Sequence, residues 1–212
     1  MLEGKRIVVT GGASGIGKAA VRAFAAQRAR LAVFDVADEA GERVAQEAGA
    51  HVEYYHCDVS DRAQVAGAFA AATRFLDGLD ALVHAAAIER AGPVEQPDDE
   101  TCRRVMDVNF GGTVYTNLTA LGYLRANGGG RIVNFGSAAG VIGQPGASYY
   151  AASKGAVMAW TRNVAQEWAR FGITVNAVAP VMDTPMYRAN RERLTPEEQR
   201  ALDRIFQMRM LG

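Results

Sequence analysis

The sequence predicts an α/β fold, a doubly wound parallel sheet with helices on both of its faces. Short apolar runs rich in β-branched residues alternate with longer helical patterns, which is typical of parallel sheets whose crossovers are helices. A glycine-rich segment joins the first run to the first helix. Six strands can be recognised, and no internal repeat or low-complexity linker interrupts the alternation. Residues 1–212 are therefore predicted to form a single domain.

Composition excludes several classes of function. The 212 residues are 49% hydrophobic and 22% charged, and 23 basic side chains balance 23 acidic ones. No overall charge therefore attracts nucleic acid or an anionic membrane. The two cysteines, Cys57 and Cys102, are too few and too irregularly spaced for a disulfide framework or a metal site. The first strand begins close to Met1 and no apolar run is long enough to span a membrane, so we expect a cytoplasmic protein without a signal peptide.

The first strand is predicted over Arg6–Thr10, and a glycine loop leads from it into a helix that ends near Gln27. Missing side chains permit a tight turn and let backbone N–H groups and the helix N-terminus approach a pyrophosphate. The alternative is a purely structural connection between strand and helix. The candidate cofactor-binding residues of this loop are Gly11, Ser14, Gly15, Ile16 and Gly17.

The second strand, over residues 31–34, ends at Asp35, eighteen residues beyond Gly17. A carboxylate in this place can accept hydrogen bonds from both ribose hydroxyls of an adenosine, and it repels a 2′-phosphate. Asp35 therefore favours NAD over NADP. The alternative is that Asp35 only caps the helix that begins near Asp38.

Helices and strands continue to alternate along the rest of the chain. A final short amphipathic helix is predicted after a capping pattern that begins at Thr195. The other helices are predicted over about 39–47, 61–75, 98–126 and 149–170, and the other strands over about 51–56, 81–85, 132–135 and 174–178.

The chemistry is predicted to lie within residues 137–154. A helix places Tyr150 and Lys154 one turn apart on one face, and Ser137 follows a strand at the sheet edge where open parallel sheets bind ligands. An ammonium about 5 Å from a phenol contributes about 3 kcal/mol at an effective dielectric near 20. Lys154 is therefore predicted to lower the pKa of Tyr150 toward neutrality. Alone, this spacing usually marks a surface phenol packed on a lysine stem, but the serine and the glycine loop favour catalysis.

The Ser137, Tyr150 and Lys154 set and the Thr-Gly-x-x-x-Gly-x-Gly loop resemble the short-chain dehydrogenase/reductase family. The resemblance covers the whole chain and implies a Rossmann-like fold and an NAD-dependent oxidoreductase that interconverts an alcohol and a carbonyl. It implies that Ser137 polarises the substrate oxygen, that Tyr150 exchanges the proton and that Lys154 also holds the cofactor ribose. It also implies a fourth catalytic residue, Asn109, which holds a proton-relay water at a local kink of its helix.

The same resemblance implies further cofactor-binding residues, each close to the end of a strand. They are Asp58 and Val59 beside the adenine, Ala85 and Ala86 where the backbone passes close to the cofactor, and Pro180 and Thr184 beside the nicotinamide, together with Tyr150 and Lys154.

The chain departs from the family pattern in three places. Residues 84–87 read His-Ala-Ala-Ala where Asn-Asn-Ala-Gly is usual, and His84 is expected to replace the missing amides as a bracing hydrogen-bond donor. The glycine that usually follows Pro180 is absent. The family's usual C-terminal helix and edge strand are also absent from residues 1–212.

Two other functions stay open from the sequence. One is an NAD-binding protein without turnover, acting as a sensor or an assembly subunit. The other is a 3-oxoacyl-carrier reductase, which Asp35 disfavours because such enzymes usually use NADPH. The expected partner is a small-molecule alcohol or ketone. The family's habit of association, with Trp160 and Trp168 on one long helix, predicts a homo-oligomer, either a tetramer or a dimer.

Overall fold

Six parallel strands form one sheet in the order β3-β2-β1-β4-β5-β6, which confirms the predicted doubly wound fold. The computed structural model describes residues 2–90, 92, 94–96, 98–180, 182–197, 199–200 and 203–204. The strands are β1 (Arg6–Thr10), β2 (Arg30–Asp35), β3 (Val52–His56), β4 (Ala81–His84), β5 (Gly130–Phe135) and β6 (Ile173–Val178).

Helices connect successive strands and cover both faces of the sheet. Among the described helices, none is long and apolar enough to cross a lipid bilayer. The helices are α1 (Gly15–Ala25), α2 (Asp38–Ala48), α3 (Arg62–Leu76), α4 (Asp99–Met106), α5 (Gly112–Ala126), α6 (Ala139–Ile142), α7 (Ser148–Trp168) and α8 (Pro185–Arg191).

The sheet is buried on both sides because alternate residues of its strands enter two different cores. On one face, Val8 and Phe34 pack against side chains of α3, α5 and α7. On the other face, Val9 packs with Val21 of α1 and Val44 of α2. This explains why the strands read as continuous apolar runs rather than as alternating ones.

The single helix predicted over 98–126 is wrong in its middle, because a π-helical turn at Asp107–Gly111 separates α4 from α5. Two threonine hydroxyls bond to backbone carbonyls in and next to this turn. Thr113 donates to the Asn109 carbonyl at 2.6 Å, and Thr116 donates to the Gly112 carbonyl at 2.7 Å. Such bonds compete with regular helix bonds. The irregularity predicted at Asn109 is therefore present as a π-turn, a form often found at functional sites.

Two short helices, α6 and α8, were not predicted. Both lie near the carboxyl ends of strands, α6 after Ser137 and α8 after Thr184, where they add walls to the crevice above the sheet. The helix predicted after Thr195 falls partly outside the described residues, because the structure does not describe residues 198, 201, 202 and 205–212.

Candidate active site

A cavity of about 370 Å³ lies at the carboxyl ends of the strands. Its position agrees with the rule that open parallel sheets bind ligands where the strand order reverses, here between β1 and β4. Every predicted site residue except Asn109 lines this cavity. The structure therefore brings the glycine loop, the acidic strand ends and the Ser, Tyr and Lys set into one continuous site.

The glycine loop is held in a shape that other residues would not permit. A Cβ on Gly11 would lie 2.7 Å from the Ala86 Cα, and a Cβ on Gly17 would lie 2.1 Å from the Gly11 carbonyl oxygen. Gly15 adopts a φ of +50° and faces open space at the start of α1. The loop thus leaves a cradle at a helix N-terminus, which fits the pyrophosphate of a dinucleotide.

Asp35 lies at the end of β2 and fastens the glycine loop to this strand. Its carboxylate accepts hydrogen bonds from the backbone N–H of Ala13 at 2.9 Å, Val36 at 2.8 Å and Ala37 at 3.1 Å. No side chain caps α2, so Asp35 is not the cap of that helix. Because a carboxylate has about four acceptor positions, it retains room for about one ribose hydroxyl rather than the predicted two.

The predicted adenine end holds an unpredicted arginine. Arg104 donates to Asp58 at 2.9 Å and to the Ser60 hydroxyl at 2.8 Å, and it lines the cavity beside Asp58. Burial raises the pKa of Asp58, but hydrogen bonds from Ser60 and Arg104 outweigh burial and lower that pKa overall. Asp58 is therefore a charged acceptor already partly used by the protein. Val59 lies beside it in the lining.

Tyr150 and Lys154 share a face of α7, as their spacing predicts. The Lys154 Nζ lies 5.7 Å from the centre of the Tyr150 ring and donates to the Phe135 carbonyl at 2.8 Å. Lys154 is only 4% exposed, and burial lowers its pKa to about 8 although Glu89 raises it. Tyr149 faces elsewhere, since its hydroxyl accepts a hydrogen bond from the Asp98 backbone at 3.3 Å.

The pKa of Tyr150 differs from the sequence prediction. Burial first and the charge of Glu89 second raise it to about 12, against a hydrogen bond with Ser137 that lowers it. The prediction that Lys154 supplies most of a downward shift of this pKa is therefore wrong for the protein by itself. The physical reason is that removing the phenolate from water costs more than its neighbours return, and the lysine ammonium is directed at the Phe135 carbonyl.

A buried acid, Glu89, stands in this site and was not foreseen. Its side chain accepts a hydrogen bond from the Gln144 amide at 3.0 Å and another from Asn190. Burial raises the pKa of Glu89, while the two amides and the charge of Lys154 act in the opposite direction. The sequence could have indicated Glu89 only through its position, because an acid soon after the end of β4 lies at the edge of the sheet where ligands bind.

Asn109 lies behind the cavity and holds its wall. Its side chain accepts from the Ile88 N–H at 2.8 Å and donates to the Ile88 carbonyl at 2.9 Å. It also donates to the Ser153 hydroxyl at 2.9 Å, next to Lys154 in the chain. The side-chain amide therefore positions the segment after β4. Both of its N–H groups are used in these contacts, so neither is left to donate to the predicted relay water.

His84 replaces the usual asparagine and joins three elements. Its Nδ1 lies 2.9 Å from the Thr10 hydroxyl of β1 and 3.0 Å from the Thr116 hydroxyl of α5. The predicted bracing contact is thus present across β1, β4 and α5. The Nε2 is buried without a hydrogen-bond partner among the described residues. Burial, with a contribution from Lys154, lowers the pKa of His84 to about 3.

The remaining strand ends complete the site. Ala85 and Ala86 pass beside Gly11, and the Ala86 N–H donates to the Thr10 hydroxyl at 3.2 Å. Pro180 and Thr184 both reach the cavity although the usual glycine is missing, and the Thr184 hydroxyl caps α8 through the Tyr187 N–H at 3.1 Å. Within the described ranges, no group of three or more His, Cys, Asp or Glu side chains could hold a metal ion.

Comparison with known proteins identifies the family to which this arrangement belongs. The family model described as short chain dehydrogenase matches residues 5–195. The chain belongs to the short-chain dehydrogenase family. The cavity lined by the Ser, Tyr and Lys residues and by the glycine loop lies within the matched range.

Two relatives in sequence and one solved structure show which proteins of the family this chain resembles. It is 40% identical over 188 residues to a 2,5-dichloro-2,5-cyclohexadiene-1,4-diol dehydrogenase of Sphingobium indicum, covering 87% of this chain and 75% of the relative. It is 42% identical over 196 residues to a galactitol 2-dehydrogenase of Cereibacter sphaeroides, covering 91% and 77%. A 3-ketoacyl-(acyl-carrier-protein) reductase from Brucella melitensis, solved with NADH, superposes with a TM-score of 0.86 at 29% identity, covering 91% and 82%. The chain is therefore similar to oxidoreductases.

Proposed function

We propose that this short-chain dehydrogenase interconverts a small-molecule alcohol and its carbonyl compound, with NAD as the cofactor. The observation that supports the proposal is the single cavity that joins a glycine cradle and Asp35 to Ser137, Tyr150 and Lys154. The relatives named above include a diol dehydrogenase and a galactitol dehydrogenase. A further relative, 37% identical over 179 residues, is named as an NAD(+) dehydrogenase, and the Brucella structure contains NADH.

Each residue has a distinct task in this proposal. The glycine loop receives the pyrophosphate, Asp35 receives a ribose hydroxyl, and Asp58 with Val59 borders the adenine. Ser137 orients the substrate oxygen. When bound, the cofactor supplies the hydride acceptor or donor and, in its oxidised form, a positive charge near the phenol.

Tyr150 handles the proton. With a pKa of about 12 in the protein alone, the phenol is protonated at neutral pH and is ready to donate to a carbonyl oxygen during reduction. Alcohol oxidation needs the phenolate, so it is favoured by alkaline pH and by positive charge beside the ring. Lys154 contributes part of that charge, although burial lowers its own pKa to about 8. Asn109 acts as a positioning residue for the wall, and its relay water stays a prediction.

The two other functions have less support. A protein without turnover would not need a half-buried phenol, a buried lysine and a strand-end serine around one cavity. A 3-oxoacyl-carrier reductase is suggested by the name of the Brucella structure, which was solved with NADH. Asp35 at the ribose position disfavours only the NADPH-dependent form of that reaction. Assembly into a dimer or tetramer and a cytoplasmic location stay predictions from the sequence.

A substrate screen tests the proposal. The protein is mixed with a panel of primary, secondary and cyclic alcohols and NAD, or with ketones and NADH, and the absorbance of the reduced nicotinamide is followed. We expect turnover of at least one alcohol with NAD. Tight NAD binding without turnover of any compound would favour the non-catalytic alternative, and turnover of only an acyl-carrier thioester with NADPH would favour the reductase.

A further inference from the structure

We propose that Glu89 binds a second hydroxyl group of the substrate, so that this dehydrogenase prefers diols and polyols to alcohols with one hydroxyl. The inference rests on the proposed function and names the substrate class of the same site. It assigns a specificity-determining role to a residue whose position in the sequence gave no such indication.

Glu89 lies beside the residues that are proposed to meet the substrate. It lines the cavity together with Ser137, Tyr150 and Gln144, and its charge raises the pKa of both Tyr150 and Lys154. The shared lining and these charge effects place the carboxyl in the same part of the cavity as the reacting phenol. Glu89 also lines a smaller pocket with Ser14 of the glycine loop. A substrate whose reacting oxygen meets Tyr150 therefore presents its neighbouring atoms to Glu89.

The carboxyl is held in one position by its surroundings. Asn109 clamps the preceding residue, Ile88, through both of its backbone groups. The amides of Gln144 and Asn190 then hold the Glu89 carboxyl itself. A group fixed in this way loses little conformational entropy when a ligand binds, so its hydrogen bond contributes fully to affinity.

The carboxyl also has unused hydrogen-bonding capacity. A carboxylate has about four acceptor positions, and the two amides use about two of them. Glu89 is only 8% exposed, and no lysine or arginine among the described residues forms an ion pair with it. An alcohol with a single hydroxyl would shield these carboxylate oxygens from water without donating a hydrogen bond to them. Leaving a buried acceptor without a hydrogen bond reduces the binding free energy.

A hydroxyl fits this position better than a cationic group does. Lys154 lies 5.7 Å from the Tyr150 ring and interacts electrostatically with Glu89, so a second ammonium in the cavity would be repelled. A neutral hydroxyl donates to the carboxylate without that repulsion. Sites built to bond a substrate hydroxyl discriminate strongly against analogues that lack it, because their own groups are left unpaired.

Matched substrates isolate this contact from general effects on the active site. Cyclohexanol, trans-cyclohexane-1,2-diol and trans-cyclohexane-1,4-diol are compared by kcat/KM with NAD in the wild type, Glu89→Gln and Glu89→Leu. Any change in the pKa of Tyr150 or Lys154 affects all three alcohols, so the ratio of diol to cyclohexanol reports the hydroxyl contact. Glu95→Gln, an exposed acid in the same connection, is the control.

We expect the wild type to favour one of the diols at least about tenfold, and Glu89→Leu to remove that preference. Glu89→Gln keeps the size and an acceptor oxygen, so it should retain part of the preference, and Glu95→Gln should retain all of it. The absence of a diol preference in the wild type, or an equal loss for cyclohexanol and the diols in Glu89→Leu, would overturn the assignment while leaving the proposed function intact.

A binding measurement separates the inference from the proposed function. Calorimetric titration of the diols and cyclohexanol into the NADH-saturated protein requires no turnover. Tighter diol binding that Glu89→Leu abolishes supports the inference even if no alcohol is oxidised, in which case the proposed function fails alone. Tighter binding of trans-2-aminocyclohexanol than of the diols, also dependent on Glu89, would overturn the hydroxyl assignment in favour of a cation.

Discussion

A phenol, an ammonium and a carboxyl influence one another's protonation within this cavity. Glu89 raises the pKa of Tyr150 and of Lys154, and Lys154 opposes the burial that raises the pKa of Glu89. Burial is the largest influence on each of the three groups. The protonation states of these three groups therefore depend first on the exclusion of water and second on the charges that the groups place on one another.

Removal of the Tyr150 hydroxyl tests the assignment of the proton-transferring residue. Tyr150→Phe should lower turnover by about a hundredfold or more, because general acid and base groups contribute about 10² to 10⁴. Binding of NAD should survive, since the phenol acts on the substrate oxygen. Steady-state rates and a cofactor titration on the same variant provide the measurement.

Tyr149→Phe is the matched control for this experiment. Its hydroxyl contacts the Asp98 backbone and not the Lys154 side of the helix, so its loss should change turnover only slightly. Loss of turnover in Tyr149→Phe together with normal rates in Tyr150→Phe would show that the assumed helix register is wrong.

At the scale of single elements, the end of β2 is the part of the fold proposed to select the cofactor. The end of β2 delivers Asp35, which holds the glycine loop through the Ala13 N–H and still lines the cavity. The same carboxylate therefore shapes the cradle and, in the proposed function, also repels a 2′-phosphate. An experiment can separate these two tasks. Shaping the glycine loop affects the binding of both NAD and NADP, whereas repulsion of the 2′-phosphate affects only the binding of NADP.

Asp35→Ala should weaken NAD binding and narrow the difference between NAD and NADP. We expect the wild type to bind NAD at least about tenfold more tightly than NADP, a difference of about 1.4 kcal/mol. Fluorescence or calorimetric titrations of both cofactors provide the measurement. Equal affinities of the wild type for the two cofactors would refute the role of Asp35 in selection.

The junction of β1, β4 and α5 should make the fold sensitive to acid. Burial lowers the pKa of His84 to about 3, below its ordinary value near 6.5. Below pH 6.5 the unfolded chain binds a proton that the folded chain excludes, so stability falls as the pH drops toward 3, by at most about 1.4 kcal/mol per pH unit.

His84→Asn, which places a neutral amide at this position, should flatten that part of the stability profile. Denaturant unfolding between pH 7 and pH 4 measures the difference between variant and wild type. An unchanged slope in His84→Asn would mean that His84 does not stay neutral in the fold.

At the scale of the whole molecule, the tryptophans of α7 do not support association. Trp168 is buried, and Trp160 donates to Asn117 at 3.2 Å and packs edge-on against Trp168 with ring centres 6.2 Å apart. Trp168 belongs to the interior, and Trp160 is partly buried against it. The family's habit of association and the exposed Leu118 of α5, 43% accessible, are the remaining reasons to expect an oligomer.

Leu118→Glu should therefore reduce the mass of the particle in solution. A charge at the centre of an apolar contact is costly to bury, so a tetramer should fall to dimers or a dimer to monomers. Light scattering at micromolar concentration measures the mass. Val36→Glu, which is 53% exposed beside the cofactor cavity, should leave the mass unchanged, and a monomeric wild type would refute the prediction of an oligomer.

Most of the fold and the members of the site could be predicted because both depend on local patterns. Alternating apolar strands and helices predict a parallel sheet, and the carboxyl ends of such strands meet at one edge. Gly11, Asp35 and Ser137 each follow a strand, so their meeting in one cavity needs no knowledge of side-chain contacts. The i, i+4 spacing of Tyr150 and Lys154 works in the same way.

The sequence by itself therefore determined the order of the strands and long helices along the chain, the edge of the sheet that carries the site, and most of the side chains that meet there, but not Glu89 or Arg104. Only the tertiary structure decided their chemical state. The raised pKa of Tyr150 follows from burial, which depends on the whole packed domain. The pairing of Glu89 with Gln144 joins residues 55 positions apart in the chain, and no periodicity encodes that contact. Local spacing specifies neighbours along one element, whereas exclusion of water and contacts between elements exist only after the chain has folded.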